Sequence, residues 1–159
     1  MRIVAVDPGK MSGCVSGKIR SNSFVCEKWS EFGLGELSAL GAFVADGVGL
    51  SGKGRLGVLV IEDFVLYGGG RHVGGKASDG LSPVFVTGLL LGWLEGMFQE
   101  RFLGLHIEYQ MASAAKGVIT DVRLRSLGGW IVGSAHCRDA YRHAELCARR
   151  ISQNRVASL

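Results

Sequence analysis

The chain has 159 residues, of which 47% are hydrophobic and 20% charged, and its formal net charge is +4. This length predicts a single domain over 1–159 with its own core, and the composition excludes a disordered chain. No apolar run reaches the ~18–20 residues that span a bilayer, and the early strand pattern argues against a signal peptide. The four cysteines form no Cys-x-x-Cys pair. We therefore expect reduced thiols and a cytoplasmic protein.

The N-terminal half predicts an antiparallel meander. Residues 2–7 follow a buried-strand pattern that Pro8 and Gly9 close, and 12–18 and 23–28 are short strand patterns. A short helix over 35–45 and a glycine-rich connector over 47–54 come next. Residues 56–64 then contain a continuous apolar run, which is typical of a strand buried on both faces.

The C-terminal half alternates helices and strands. A long glycine-rich loop over 67–82 leads to a helix from Ser82 to about Phe98, with Ser82 as N-cap and Pro83 as first helical residue. The apolar residues Leu89, Trp93 and Met97 of that helix could form an interface or face the core, and the core is the favoured placement. A strand over 105–109 and helices over 120–130 and from 135 to about 153 complete an α/β pattern with a mixed sheet.

Positive charge is concentrated near the C-terminus. Residues 116–155 contain eight basic and three acidic side chains, an excess of five positive charges. Such a segment suits a polyanionic partner, although ordinary solvated helix faces also produce it. Charge alone does not decide between the two interpretations.

Acidic residues end the two most apolar strands. Asp7 ends the first and Glu62 the central one, while Asp63 should point to the opposite face because side chains alternate. A third acidic group, Asp139, lies three residues after His136 and shares a helix face with it. A single acidic residue at a strand end is often a turn cap, and a single histidine is often a surface group. Their combination favours a ligand cluster.

Such a cluster has a restricted chemistry. Neighbouring carboxylates repel each other, and divalent cations relieve that repulsion. Oxygen-rich ligands favour Mg²⁺, and Mn²⁺ is expected to substitute for it. Two ions about 4 Å apart can activate a water and stabilise the leaving oxygen in phosphodiester hydrolysis.

Four short segments occur in an order typical of one nuclease family. They are Val-Ala-Val-Asp-Pro-Gly at 4–9, Val-Ile-Glu at 60–62, Ala-Lys-Gly-Val-Ile-Thr at 115–120 and His-Cys-Arg-Asp-Ala at 136–140. In these segments the chain resembles the RuvC-like Holliday junction resolvases, particularly the compact bacteriophage forms. The resemblance implies an RNase H-like fold, whose five-stranded mixed sheet has three antiparallel strands followed by parallel ones and is flanked by helices. It also implies a homodimer that cuts four-way DNA junctions, in the bacterial host cytoplasm if a phage encodes it.

The resemblance implies a role for each matched residue. Asp7, Glu62 and Asp139 would be metal-binding catalytic carboxylates, and Lys116 would contact the scissile phosphate. The family often has an acidic residue where this chain has His136, and some members have histidine there. His136 is therefore expected in the site, either as a metal ligand or as a proton-transfer group.

Basic and aromatic residues are candidate DNA contacts. The loop after Glu62 lies where such enzymes approach the junction, and its aromatic residues can stack on an opened base. The alternative is a flexible loop with aromatic residues in the core. The candidate DNA-binding residues are Lys53, Arg55, Phe64, Tyr67, Arg71, His72, Lys76, Lys116, Arg123 and Arg125.

Three other interpretations of the sequence compete with this one. Residues 47–54 nearly match a phosphate-binding P-loop, but Gly54 supplies no hydroxyl and a strand follows where a helix is needed. A non-catalytic DNA-binding protein of the same fold would not need the carboxylate set. An RNase H-like nuclease acting on RNA–DNA hybrids would use the same chemistry on a different substrate geometry.

Overall fold

The computed structural model describes residues 1–63 and 77–157. Its sheet has five strands: β1 (Arg2–Asp7), β2 (Met11–Arg20), β3 (Ser23–Gly33), β4 (Val58–Asp63) and β5 (His106–Met111). The order across the sheet is β3-β2-β1-β4-β5. The first three strands pair antiparallel, whereas β1 with β4 and β4 with β5 pair parallel. The mixed sheet predicted from the sequence is confirmed.

Helices cover both faces of this sheet. A 3-10 turn over Leu34–Glu36 leads into the first α-helix, and the helices are α1 (Leu37–Val48), α2 (Ala77–Leu103), α3 (Ala112–Val118), α4 (Asp121–Ser126) and α5 (Ala135–Ala157). None of the helices in the described parts of the chain is both long and apolar enough to cross a membrane.

Alternation along the strands divides the core in two. One cluster joins Ile3, Ala5 and Val60 of the sheet to small residues of α5 such as Ala140 and Ala144. The other joins the intervening strand residues to α1 and α2. The small side chains on α5 let its axis approach the sheet closely, as their spacing predicts.

Several predicted boundaries were wrong. Helix α2 begins at Ala77, so Ser82 is not its N-cap and Pro83 lies inside the helix. Proline removes only its own hydrogen bond and kinks a helix, so it does not require a helix start. Helix α4 ends at Ser126 rather than near 130, because Gly128 has a left-handed φ of 73°.

The expected core placement of two α2 residues was also wrong. Leu89 and Met97 have 40% and 61% of their surface exposed. Trp93 does pack inward, against Gly41 of α1, where an added Cβ would lie 2.3 Å from the indole. The helix therefore presents one apolar face to the core and leaves other apolar side chains in contact with solvent.

The near P-loop segment has a structural role. A strand, β4, follows it as predicted. The guanidinium of Arg101 donates to the carbonyl oxygens of Gly49 and Gly54, at 3.1 and 2.9 Å. The segment thus turns carbonyl oxygens toward a cation, whereas a phosphate-binding loop turns amide N–H groups toward an anion.

All four cysteines lie in the described residues and are free thiols, as predicted. Burial raises the pKa of Cys14 well above its ordinary value, and burial raises the pKa of Cys26 to about 11. These thiols are therefore protonated and unreactive at neutral pH.

Candidate active site

Strand alternation directs two carboxylates toward α5. Asp7 continues the side of β1 that carries Ile3 and Ala5, and Glu62 continues the side of β4 that carries Val60. The parallel register pairs Val6 with Ile61, so the two acidic residues follow at the same edge of the sheet. Both are buried, whereas Asp63 is exposed, as alternation predicts.

The N-terminus of α5 is fixed directly over this edge. Ser134 accepts a hydrogen bond from the backbone N–H of Cys137 at 2.9 Å and donates to Glu31 at 2.6 Å. Gly13, which pairs with Asp7 in the sheet, lies so close that an added Cβ would be 2.1 Å from the carbonyl carbon of His136. A glycine at this position is therefore what allows the helix to approach the first carboxylate.

Asp7 is held by His136. Nδ1 of the imidazole lies 2.9 Å from Oδ2 of the carboxylate. Burial, and next the negative charge of Glu62, raise the pKa of Asp7 to about 6, although the bond to His136 acts in the opposite direction. The charge of Asp139 also raises this pKa, so the three carboxylates interact electrostatically.

Glu62 lies at one end of a buried hydrogen-bonded chain. Its Oε2 is 3.0 Å from Nε2 of His143, and Nδ1 of His143 is 3.1 Å from Oε1 of Gln110. The amide of Gln110 donates to Glu108 at 2.7 Å, and Glu108 pairs with Arg150. Gln110 of β5 lies beside Glu62 of β4 in the parallel register. These hydrogen bonds therefore link the ends of β4 and β5 through His143 of α5.

Asp139 is held by two cations. Nζ of Lys116 lies 2.9 Å from its Oδ2, and Nη1 of Arg142 binds its Oδ1. The Arg142 guanidinium is almost fully buried and also binds Asp121, the first residue of α4. Burial alone would lower the pKa of Lys116, but the hydrogen bond to Asp139 and the negative charges of Asp139, Glu62 and Asp7 together outweigh burial, so the pKa is raised. Lys116 is therefore charged.

The donor set fits a divalent cation in its chemistry. Three carboxylates and an imidazole are suitable ligands for Mg²⁺ or Mn²⁺. The pKa of Asp7 is raised first by burial and next by the negative charge of Glu62, and a cation would relieve the repulsion between the two carboxylates. In the described parts of the chain, however, no three such side chains converge on one point. Each carboxylate contacts a basic side chain instead: Asp7 contacts His136, Glu62 contacts His143, and Asp139 contacts Lys116 and Arg142.

The candidate DNA contacts fall into separate regions. Lys53 and Arg55 precede β4, so they lie at the opposite edge of the sheet from Glu62. Arg55 borders a cavity together with Met1, Arg2 and Lys18. Arg123 and Arg125 are exposed on α4. The first residue of this helix, Asp121, binds Arg142 of the candidate site. The remaining candidates, Phe64, Tyr67, Arg71, His72 and Lys76, lie outside the described residues.

Four site residues were not identified from the sequence. His143 lies four residues after Asp139 and so on the same helix face, but its contact with Glu62 was not foreseen. Arg142, Asp121 and Gln110 were not singled out. The spacing of 136, 139, 143 and 150 along α5 was the available signal, since these positions share one helix face. Gln110 depends on the pairing of β5 with β4, which no local pattern reveals.

Comparisons with known proteins bear on the fold. No family model and no curated protein matches the sequence. Among solved structures, Thermus thermophilus RuvC in complex with a Holliday junction substrate is similar with a TM-score of 0.66 and 12% identity, covering 98% of this chain and 96% of that one. A second Thermus thermophilus RuvC structure has a TM-score of 0.61 and 13% identity, covering 99% and 97%. The chain therefore has the RNase H-like fold of RuvC.

Proposed function

We propose that the protein is a metal-dependent endonuclease that resolves four-way and other branched DNA junctions. The observation that carries the proposal is the electrostatic interaction of Asp7 with Glu62 and Asp139, which lie on three different elements, together with the ion pair between Lys116 and Asp139. When bound, divalent cations, taken here as two Mg²⁺ per site, would polarise the scissile phosphodiester and activate a water.

The chain's own residues would share the remaining work. His136 holds Asp7 through Nδ1, so Nε2 is the nitrogen that would meet a metal or a leaving group. His143 fixes the orientation of Glu62 from within the core. Lys116 is half-exposed, so it can leave Asp139 and contact a substrate phosphate.

Two further points support the substrate and the assembly. A RuvC that matches this chain over almost its full length is described in complex with a Holliday junction. Helix α2 exposes the large apolar side chains of Phe85 and Met97, each about 60% accessible. We propose that a second copy covers them, giving a homodimer with two sites for opposed strands.

The decisive experiment is a cleavage assay with four synthetic substrates: a four-way junction, a linear duplex, a flap and an RNA–DNA hybrid. With Mg²⁺ or Mn²⁺ present, we expect preferential cleavage of the junction with paired nicks in opposite strands. Unpaired nicks would contradict the dimer, and preferential hydrolysis of the hybrid would favour the RNase H alternative. Binding to the junction without cleavage of any substrate would favour the non-catalytic alternative.

Replacing Lys116 by methionine is expected to separate metal binding from cleavage. The lysine and Arg142 occupy both oxygens of Asp139, so a cation that uses Oδ2 must displace Lys116. Removing one partly exposed ion pair should tighten Mg²⁺ or Mn²⁺ binding to the DNA-free protein by about 2- to 10-fold. Cleavage at saturating metal should fall by at least ~10-fold, because the variant lacks the positive charge that would contact the scissile phosphate.

Calorimetric titration of the DNA-free protein measures the metal affinity, and single-turnover cleavage measures the rate. Lys28→Met is the matched control, because it breaks the exposed pair with Asp46 and changes the net charge equally. Weaker metal binding by Lys116→Met would mean that the lysine supports the metal site rather than competing with the metal.

A further inference from the structure

Two arginines converge on one indole near the candidate site. The guanidinium carbon of Arg125 lies 4.0 Å from the ring centroid of Trp130, and that of Arg138 lies 4.6 Å from it. Arg138 also donates to the carbonyl oxygen of Ile131 at 2.9 Å. Arg125 is exposed, and Trp130 and Arg138 are half-buried. We call these three residues the arginine–tryptophan cluster.

The cluster carries charge that its surroundings do not neutralise. The other arginines of α5 with described side chains each bind a carboxylate: Arg142 binds Asp139 and Asp121, Arg149 binds Glu145, and Arg150 binds Glu108. Neither arginine of the cluster has a carboxylate partner among the residues whose side chains are described, 1–63 and 83–154. Each cation–π contact contributes about 0.5–1 kcal/mol, but it does not cancel the charge of the guanidinium group. A bound anion would reduce the repulsion between the two positive charges.

The cluster is physically connected to the candidate site. Arg138 immediately precedes Asp139 on α5. Arg125 belongs to α4, whose first residue, Asp121, binds the same Arg142 that holds Asp139. The position of both guanidinium groups is therefore set by the elements that set the position of a catalytic carboxylate.

We propose that the arginine–tryptophan cluster binds the phosphate backbone of the substrate nucleic acid beside the scissile bond. The inference rests on the proposed function and adds two residues, Trp130 and Arg138, to the contact surface. The indole holds the two planar guanidinium groups in place, and their N–H groups meet phosphate oxygens. A polyanion supplies the negative charge that the cluster lacks within the protein.

The test measures binding of a labelled four-way junction by fluorescence anisotropy, without metal, over a range of salt concentrations. Arg125→Gln should weaken binding by about 3- to 10-fold and reduce the slope of log affinity against log salt by about 0.9, the value for one lost phosphate contact. Arg138→Gln should act similarly, and the double variant should lose about twice that slope. Trp130→Phe keeps an aromatic face and should retain most of the affinity.

Lys28→Gln is the control for a general charge effect, because it removes one positive charge from a distant strand. Thermal unfolding checks that each variant is folded, and Arg125→Gln is decisive because the Arg125 side chain makes no hydrogen bond to the described residues. The inference would be overturned if the salt slope of Arg125→Gln equalled that of the control. It would also be overturned if Trp130→Phe alone caused a large loss of junction affinity, because that result would indicate stacking of a base on the indole. Wild-type cleavage is read separately, so an inactive protein with the expected slopes would refute the nuclease and not the contact surface.

Discussion

Replacing Asp7 by asparagine is expected to reduce junction cleavage by at least ~100-fold while leaving junction binding nearly unchanged. Asp7 is a buried carboxylate whose pKa is raised by burial and also by the negative charges of Glu62 and Asp139. The amide of asparagine is neutral, so it would bind a divalent cation much more weakly than a carboxylate does. Losing several kcal/mol of transition-state stabilisation corresponds to a rate loss of this size. Single-turnover cleavage and metal-free anisotropy measure the two quantities.

Asp63→Asn is the matched control for this substitution. Asp63 ends the same strand as Glu62, but it is exposed and points to the other face of the sheet. Its substitution should leave both cleavage and binding at the wild-type level. Equal losses for Asp7→Asn and Asp63→Asn would mean that general negative charge, rather than a specific ligand, supports activity.

The same Asp7 variant should also change how stability depends on pH. The pKa of Asp7 is raised from its ordinary value of 3.8 to about 6, so the folded state binds this proton more tightly than the unfolded state. The stabilisation is complete below 3.8 and is lost as the pH rises through about 6, by an amount on the order of 2–3 kcal/mol. Metal-free Asp7→Asn should therefore be more stable than the wild type at pH 7.5, with the difference shrinking toward pH 4. Thermal unfolding in chelator measures it.

Replacing Gly13 by alanine is expected to destabilise the fold and disrupt the site together. The added Cβ would lie 2.1 Å from the backbone of His136 and 2.4 Å from the backbone nitrogen of Cys137, and neither can rotate away. Such overpacking costs about 1–3 kcal/mol, equivalent to a fall of roughly 2–12 °C in melting temperature. Helix α5 must shift to relieve the clash, which lengthens the contact between His136 and Asp7.

Gly33→Ala provides the comparison for a strand glycine. Its added Cβ would meet Glu36 at 3.5 Å, an ordinary contact. This variant should keep its melting temperature within ~2 °C and cleave at the wild-type rate. A melting temperature for Gly13→Ala as high as that of Gly33→Ala would show that α5 is free to move away from the sheet.

The sequence was sufficient to predict the elements whose signals are local. Continuous apolar runs predicted β1 and β4, and their terminal carboxylates predicted the edge at which Asp7 and Glu62 meet. The small residues of α5 predicted the helix face against the sheet. Each of these signals depends on residues only a few positions apart.

Contacts set by tertiary packing were less accessible. The bond between His143 and Glu62 requires both the rotation of α5 about its axis and the register of β4 with β5. The burial of Arg142 depends on where α4 begins relative to α5. The exposure of Met97 depends on which face of α2 packs on the rest of the protein. Helix rotation, strand register and side-chain burial are set when the helices pack on the sheet, and local patterns in a single sequence do not predict them.

Helix α5 also determines when in folding the candidate site is complete. Asp7 and His136 are separated by 129 residues, and Glu62 and His143 by 81. A chain whose sheet has formed but whose last helix has not docked holds Asp7 and Glu62 without Asp139. Loop-closure entropy opposes the formation of such distant contacts. The proposed nuclease activity would therefore require a docked α5, and this requirement would protect nearby nucleic acid from incompletely folded chains.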